Sequence, residues 1–233
     1  MKSLCIIPAR GGSKRIPRKN IRDFCGKPAI AWTIEAARKS GCFDRIVVST
    51  DDDEIAGVSR DWGAETPFKR PQELSDDMTA TRPVINHAIH QIERESGCPD
   101  YVCCLYATAV FVRPDDLRSG LQVVSQAGID FAFSVTSFAY PIQRALRITG
   151  EGRVEMFHPE HRLSRSQDLE EAYHDAGQFY WGRAEAFLND LATFGNGSVP
   201  IVLPRYRVQD LDTMEDWKRA ELMFGVLEYS REQ

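Results

Sequence analysis

The chain has 233 residues, 42% hydrophobic and 27% charged, with 34 acidic against 29 basic side chains and a net charge of −5. That is enough material for one globular domain with a sizeable core, and its negative balance excludes a general nucleic-acid binder. No run approaches the roughly 20 apolar residues of a membrane helix, and the apolar N-terminal stretch is too short for a secretory leader, so a cytoplasmic protein is expected.

In chain order, short apolar runs alternate with segments of helical period. Residues 3–7 (SLCII) read as a buried strand, and 28–40 as a helix opened by Pro28 and ended by Gly41. A strand over 45–50 leads into the acids of DDDE, which suit the start of a short helix. Helices are expected over 79–95, 113–128, 183–194 and 213–230, and strands over 101–107, 131–135 and 178–182. This rhythm predicts an α/β fold with a mostly parallel sheet covered on both faces. It breaks between 137 and 173, where the chain is polar and carries the turn signal TGEGR. That stretch reads as a hairpin-rich insertion in a single domain spanning 1–233. Six cysteines without a CxxC pair read as reduced thiols.

Residues 7–21, IPARGGSKRIPRKNI, follow the first strand. They place Arg10, Lys14, Arg15, Arg18 and Lys19 within ten residues that contain no acid. In an open parallel sheet, ligands bind beyond the carboxyl ends of the strands, where this loop lies. Gly11 and Gly12 allow close approach of the backbone to an anion, and the cations add charge and forked hydrogen bonds. The loop therefore reads as a polyphosphate site rather than a solvated charged surface. It matches neither GxxxxGK[ST] nor GxGxxG, which disfavours a P-loop ATPase and a dinucleotide site.

In QDLDTMEDW, Asp210 and Asp212 are two residues apart, so on an extended segment their carboxylates share a face. Beside a phosphate site such a pair suits Mg²⁺, which takes one or two carboxylates and fills its other positions with water or phosphate. Asp212 equally suits the cap of the helix beginning at Thr213. Asp51 is a lesser candidate, for nucleotide contact or for a helix cap. His87, His90, His158, His161 and His174 lack partners at ligand spacing and read as surface or core residues.

PARGGSKRIPRKNI and RDFCGKPAIAWTIEAA, then VVSTDDDEIA, RPQELSDD and VQDLDTMEDW, together resemble the CMP-sialic acid synthetase family of sugar-acid cytidylyltransferases. The resemblance implies a three-layer, Rossmann-like nucleotidyltransferase fold, with 137–173 as a small dimerisation and sugar-binding insertion of a homodimer. It implies that CTP, with Mg²⁺, gives CMP to a nine-carbon keto-sugar acid and releases pyrophosphate. Arg10 and Lys19 are then expected on the triphosphate, with Ser13, Arg15 and Asn20 nearby and the backbone of Ala9 and Gly11 along the nucleotide. Arg70 and Thr81 fall at the cytidine; their plain alternatives are a surface cation and a helix N-terminal residue. Asp210 and Asp212 become the Mg²⁺ ligands, and Arg10, Lys19 and Asp212 the catalytic set.

Where that family typically reads LQPTSP, this chain reads LYATAVF, with Tyr106 replacing the glutamine that meets the sugar. SVTSFAYPIQRAL and YHDAGQFYWG instead resemble the branch acting on pseudaminic acid, which usually has proline where Val110 stands. The sugar-binding residues expected from this are Tyr106, Gln143, Arg144, Arg165, Gln178 and Tyr180, with Arg165 on the carboxylate. Rival readings are the same reaction on sialic, legionaminic or another keto-sugar acid, a glycosyltransferase whose D-x-D holds a metal, and a non-catalytic phosphate-binding module.

Overall fold

Strand β1 (Ser3–Pro8) is apolar on both faces, as a parallel strand covered by helices on each side must be. The structure, a computed structural model, describes residues 1–229. Beyond the basic loop, β2 (Asp23–Phe24) and β3 (Lys27–Pro28) form a small hairpin turned by Cys25 and Gly26, both at positive φ. Helix α1 (Ala29–Ser40) starts behind Pro28 and ends at Gly41, left-handed at φ 66°, as the sequence predicts. There follow β4 (Arg45–Ser49), α2 (Asp53–Asp61), α3 (Thr81–Ser96), β5 (Tyr101–Leu105), α4 (Pro114–Val124) and β6 (Phe131–Ser137).

Ser137 is paired with Tyr173, so residues 138–172 leave the sheet and return to it at one point. They carry a hairpin of β7 (Leu146–Ile148) and β8 (Val154–Met156), joined through the predicted TGEGR turn. Then come β9 (Tyr173–Arg183), α5 (Ala184–Leu188), the strand β10 (Ser198–Val202) and α6 (Met214–Tyr229). Ser230, the last residue of the helix expected over 213–230, lies outside the described residues. Among these residues no helix is long and apolar enough to cross a membrane.

The main sheet runs β10-β6-β9-β5-β1-β4. Every pairing is parallel except those of β9, which lies antiparallel between β5 and β6. Alternation along β1 sorts the core into two layers. Cys5 and Ile7 join Ile30 and Ile34 of α1 and Leu117 of α4, whereas Leu4 and Ile6 join Ile85, Ile89 and Ile92 of α3. A third cluster seats α6 through Trp217 and Phe224 on Ile16, Phe24, Val110 and Phe111. Val110, in the expected proline position, is thus a core residue that ties its loop to the α6 cluster.

Three expectations needed adjustment. The strand expected over 178–182 starts at Tyr173, because its first half pairs with the end of β6. The helix expected over 183–194 stops at Leu188; the chain then turns through Asp190 at φ 53°, and Arg82 takes up the carbonyls of Ala186, Phe187 and Leu191. Strand β10 was not foreseen because Pro200 interrupts it, and proline is tolerated in a sheet at an edge such as this one.

Candidate functional site

The basic loop leaves β1 under tight local control. Ala9 N–H donates to the Ser49 carbonyl (2.9 Å), Gly11 N–H to Asp51 Oδ1 (3.0 Å), and Asn20 Nδ2 to the Arg10 carbonyl (3.0 Å). Gly11 is needed because a Cβ there would stand 2.7 Å from Asp52 Oδ2. Its amide is therefore spent on Asp51 rather than left open for an anion. Behind the loop Arg18, itself left-handed at φ 57°, grips Asp52 with both Nη atoms and also reaches Glu54. Asp52, not Asp51, caps α2, accepting from the backbone N–H groups of Glu54 and Ile55.

The Arg18 bonds, and next the helix amides, hold the Asp52 carboxyl down to about 2 from its ordinary 3.8. A carboxyl depressed in the folded state stabilises the fold above its unfolded pKa and loses that contribution as pH falls through the folded value. The shift corresponds to about 2 kcal/mol at neutral pH. Asp52→Asn, which still caps, is expected to lower stability by about that amount at pH 7. Urea titrations from pH 7 to 2 should show wild type and variant converging between about pH 4 and 2. A constant gap across that range would remove the ion pair from the account.

Four of the five loop cations, Arg10, Lys14, Arg15 and Lys19, turn into a cleft of about 570 Å³ at the carboxyl ends of β1 and β5, and Arg18 faces away from it. Ser13, Asn20, Arg70, Asp76, Asp77, Thr81, Tyr106 and Asp212 complete the walls that matter. Acids hold each of these cations. Arg10 (2.6 Å) and Lys14 share Asp77, while Arg15 makes a forked pair with Asp212 at 2.8 and 2.9 Å. Lys19 donates to the Leu211 carbonyl at 2.8 Å and reaches Asp212 at 3.5 Å. Pairs this exposed are worth about 1 kcal/mol or less, so an incoming polyanion can replace the carboxylates at small cost.

Arg70 is no surface cation. It is buried and donates through Nε to Ser49 Oγ (3.1 Å) and through Nη2 to the Ser49 carbonyl. Burial lowers its pKa to about 10, which still leaves it charged at neutral pH. Thr81 is the first residue of α3, but its hydroxyl makes no cap; it lies 3.4 Å from the Tyr106 hydroxyl.

Asp212 is likewise free of capping duty. Thr213 and Asp216 bond reciprocally, backbone amide to side chain, in a capping box that starts α6. Asp212 lines the cleft, whereas Asp210 stands outside its walls with Oδ1 accepting from Leu211 N–H. Asp210 is exposed as a residue, but partial desolvation of its carboxyl, and then the charge of Asp212, raise its pKa, so the two acids feel each other. No cluster of three or more His, Cys, Asp or Glu side chains suited to a metal exists among the described residues. The acidic pair on offer is Asp212 in the cleft wall and Asp210 outside it. It matches an ion such as Mg²⁺ that completes its shell with phosphate and water.

A family profile described as Cytidylyltransferase matches residues 4–205. The chain is 48% identical over 226 residues to a pseudaminic acid cytidylyltransferase of Campylobacter jejuni, covering 97% of each chain. The chain belongs to the cytidylyltransferase family. It is also 30% identical over 231 residues to a CMP-N,N'-diacetyllegionaminic acid synthase of Legionella pneumophila, covering 95% of each. Among solved structures, a CMP:2-keto-3-deoxy-manno-octonic acid synthetase complexed with CTP matches with a TM-score of 0.72. That match covers 97% of this chain and 99% of the other at 17% identity, a likeness of fold.

A second cavity of about 390 Å³ adjoins the cleft of this cytidylyltransferase and shares Thr81 and Tyr106 with it. Tyr180 and Asp175 of β9 line it, together with Arg82 and the turn Asp190–Phe194. Of the residues expected at a sugar, Tyr106 and Tyr180 are brought together here, with ring centroids 5.5 Å apart. Gln178 is not; it is buried beneath, donating Nε2 to the Arg207 carbonyl at 2.7 Å. Gln143, Arg144 and Arg165 are bonded within the insertion, to the Glu170 carbonyl, Ser166 and Asp168 respectively, and line neither cavity. Asp76, Asp77 and Asp175 went unread in the sequence. The first two were visible as the SDD of RPQELSDD, but nothing local says that they cover cations 66 residues away.

Proposed function

We propose that this cytidylyltransferase transfers CMP from CTP to the anomeric hydroxyl of pseudaminic acid, releasing pyrophosphate. The observation that carries this reading is the cation-lined cleft opening, across Thr81 and Tyr106, into a second cavity. The 48% identity with a pseudaminic acid enzyme over nearly full length supports that sugar over sialic or legionaminic acid. The family match and the basic Gly-Gly loop after β1 speak against a glycosyltransferase, and the adjoining pocket against a passive phosphate-binding module.

The attacking hydroxyl approaches the α-phosphorus in line, and catalysis rests on positioning and on charge neutralisation. Arg10, Lys14 and Lys19 hold the leaving pyrophosphate as its charge grows. Ser13, Arg15 and Asn20 stand along the phosphates, and Arg70 and Thr81 mark the end of the cleft assigned to cytidine. Mg²⁺ on Asp210 and Asp212 would supply charge to phosphate oxygens and acidify a bound hydroxyl. The exposed apolar side chains of the insertion, Tyr140, Ile148, Val154 and Leu163 among them, support a homodimer formed through 137–173. Such a dimer also accounts for Arg144 and Arg165 lining neither cavity of their own chain. A cytoplasmic site of action accords with soluble CTP as donor.

Pyrophosphate release tests the reading. With pseudaminic acid, CTP should be used in strong preference to ATP or GTP, and N-acetylneuraminic acid should be a poor acceptor, because polar groups set for one stereoisomer go unpaired with the other. Comparable rates with ATP would overturn the nucleotide assignment. A preference for N-acetylneuraminic acid would overturn the sugar alone.

A further inference from the structure

In a regular strand, residues five apart face opposite sides of the sheet. Asp175 and Tyr180 of β9 nevertheless meet, the Tyr180 hydroxyl donating to Asp175 Oδ2 at 2.5 Å. The strand register explains the contact. Phe133 stands opposite Tyr180 and Val135 opposite Asp175, so the step from 133 to 135 on β6 answers the step from 180 to 175 on β9. The surplus bulges out through Gly177, left-handed at φ 60°, whose N–H donates to Asp175 Oδ1 at 2.9 Å. Both carboxylate oxygens are therefore occupied and aimed. Bulges recur beside active sites because they redirect a side chain in this way.

From Asp175 a line of hydroxyls runs to the wall shared by the two cavities. Burial, then the neighbouring Tyr106 and Asp175, push the Tyr180 phenol far up, so it stays protonated. Its one proton lies on Asp175, so it turns only lone pairs toward Tyr106, whose ring stands against its own with centroids 5.5 Å apart. With Tyr106 oriented as donor toward those lone pairs, its oxygen is left to accept from Thr81 Oγ1, 3.4 Å away, a contact in which either hydroxyl can donate. A row of single-proton donors ending on a carboxylate has only one polarity.

We propose that Asp175 is a positioning residue that sets this polarity, so that Tyr106 and Thr81 present lone pairs to the attacking hydroxyl of the sugar acid. The inference rests on the function proposed above. A hydroxyl whose hydrogen is held by such an acceptor has its own lone pair free to face phosphorus, and reactive orientation of this kind is a large part of enzymatic rate. Asp175 itself touches no reacting atom.

Two substitutions test the chain. Asp175→Asn keeps the size but brings an amide that can donate to Tyr180 and reverse the polarity, and Tyr180→Phe cuts the line. With CTP and pseudaminic acid, each is expected to lower kcat by about 10–100-fold while CTP affinity, measured separately by calorimetry, stays within about twofold. The double variant should be no slower than Tyr180→Phe alone, because Asp175 acts through Tyr180. Normal kcat in Asp175→Asn, losses that multiply in the double variant, or a parallel loss of CTP binding would each overturn the proposal. A wild type inactive on pseudaminic acid would sink the functional reading, and the proposal with it. An active wild type with unaffected variants would sink the positioning role alone.

Discussion

Asp212→Asn is expected to lower turnover by about 10²–10³-fold while leaving the fold intact. The fold should survive because Thr213 and Asp216, not Asp212, cap α6. Activity should fall because Asp212 is the member of the Asp210–Asp212 pair that lines the cleft, with Asp210 behind it as the second donor in the proposed Mg²⁺ set. Two further readouts separate this role from plain neutralisation of Arg15 and Lys19. The Mg²⁺ concentration for half-maximal rate should rise, since an amide is a poorer ligand for a hard cation. CTP binding measured without metal should be no weaker, because one negative charge has left a cleft meant for a triphosphate. A near-normal rate with unchanged Mg²⁺ dependence would reduce Asp212 to a counter-ion. EDTA should silence the wild type.

Arg10→Ala is expected to cost a similar factor, about 10²–10³ in kcat with CTP and sugar saturating. Arg10 leaves the loop directly after β1, where its main chain is fixed by the neighbouring Ala9 and Gly11 hydrogen bonds and by Asn20. A cation anchored this way would stabilise charge that develops on the departing pyrophosphate once the polyanion has displaced Asp77. The substitution leaves Asp77 paired with Lys14, so no carboxylate is stranded and stability should change little. Because Lys14 and Lys19 still attract the ground-state triphosphate, CTP affinity should fall less than kcat does. An Arg10→Ala enzyme of nearly normal rate would make Arg10 a surface cation that does no more than pair with Asp77 and the Asp76 carbonyl.

Local chemistry was legible without coordinates. Pro28 and Gly41 bound α1 because one fixes φ and the other tolerates left-handed backbone. Alternating apolar and helical segments gave the α/β layers, and the basic loop could be placed at a strand's carboxyl end from its position alone. The same local reasoning failed where contacts with distant residues override propensity. The helix expected over 183–194 is cut short by Arg82, about 100 residues earlier, which satisfies the carbonyls that a longer helix would have used. Strand β10 is a strand only because β6 offers it an edge.

The sequence by itself determined what the loop is made of: five cations within ten residues, two adjacent glycines and, far along the chain, two aspartates at a spacing that suits a metal. Composition and spacing are properties of neighbours in the chain, and they survive being read one segment at a time. Only the tertiary structure decided which charges meet. Arg15 and Asp212 are 197 residues apart, and Arg18 resembles its neighbours in sequence yet turns its charge to Asp52 outside the cleft. It also decided that Arg70 is buried, that Gln178 is a strut, and that a bulge brings Asp175 round to Tyr180. Those outcomes depend on strand order and register. Hydrogen bonds between strands fix both, and a single chain segment encodes neither.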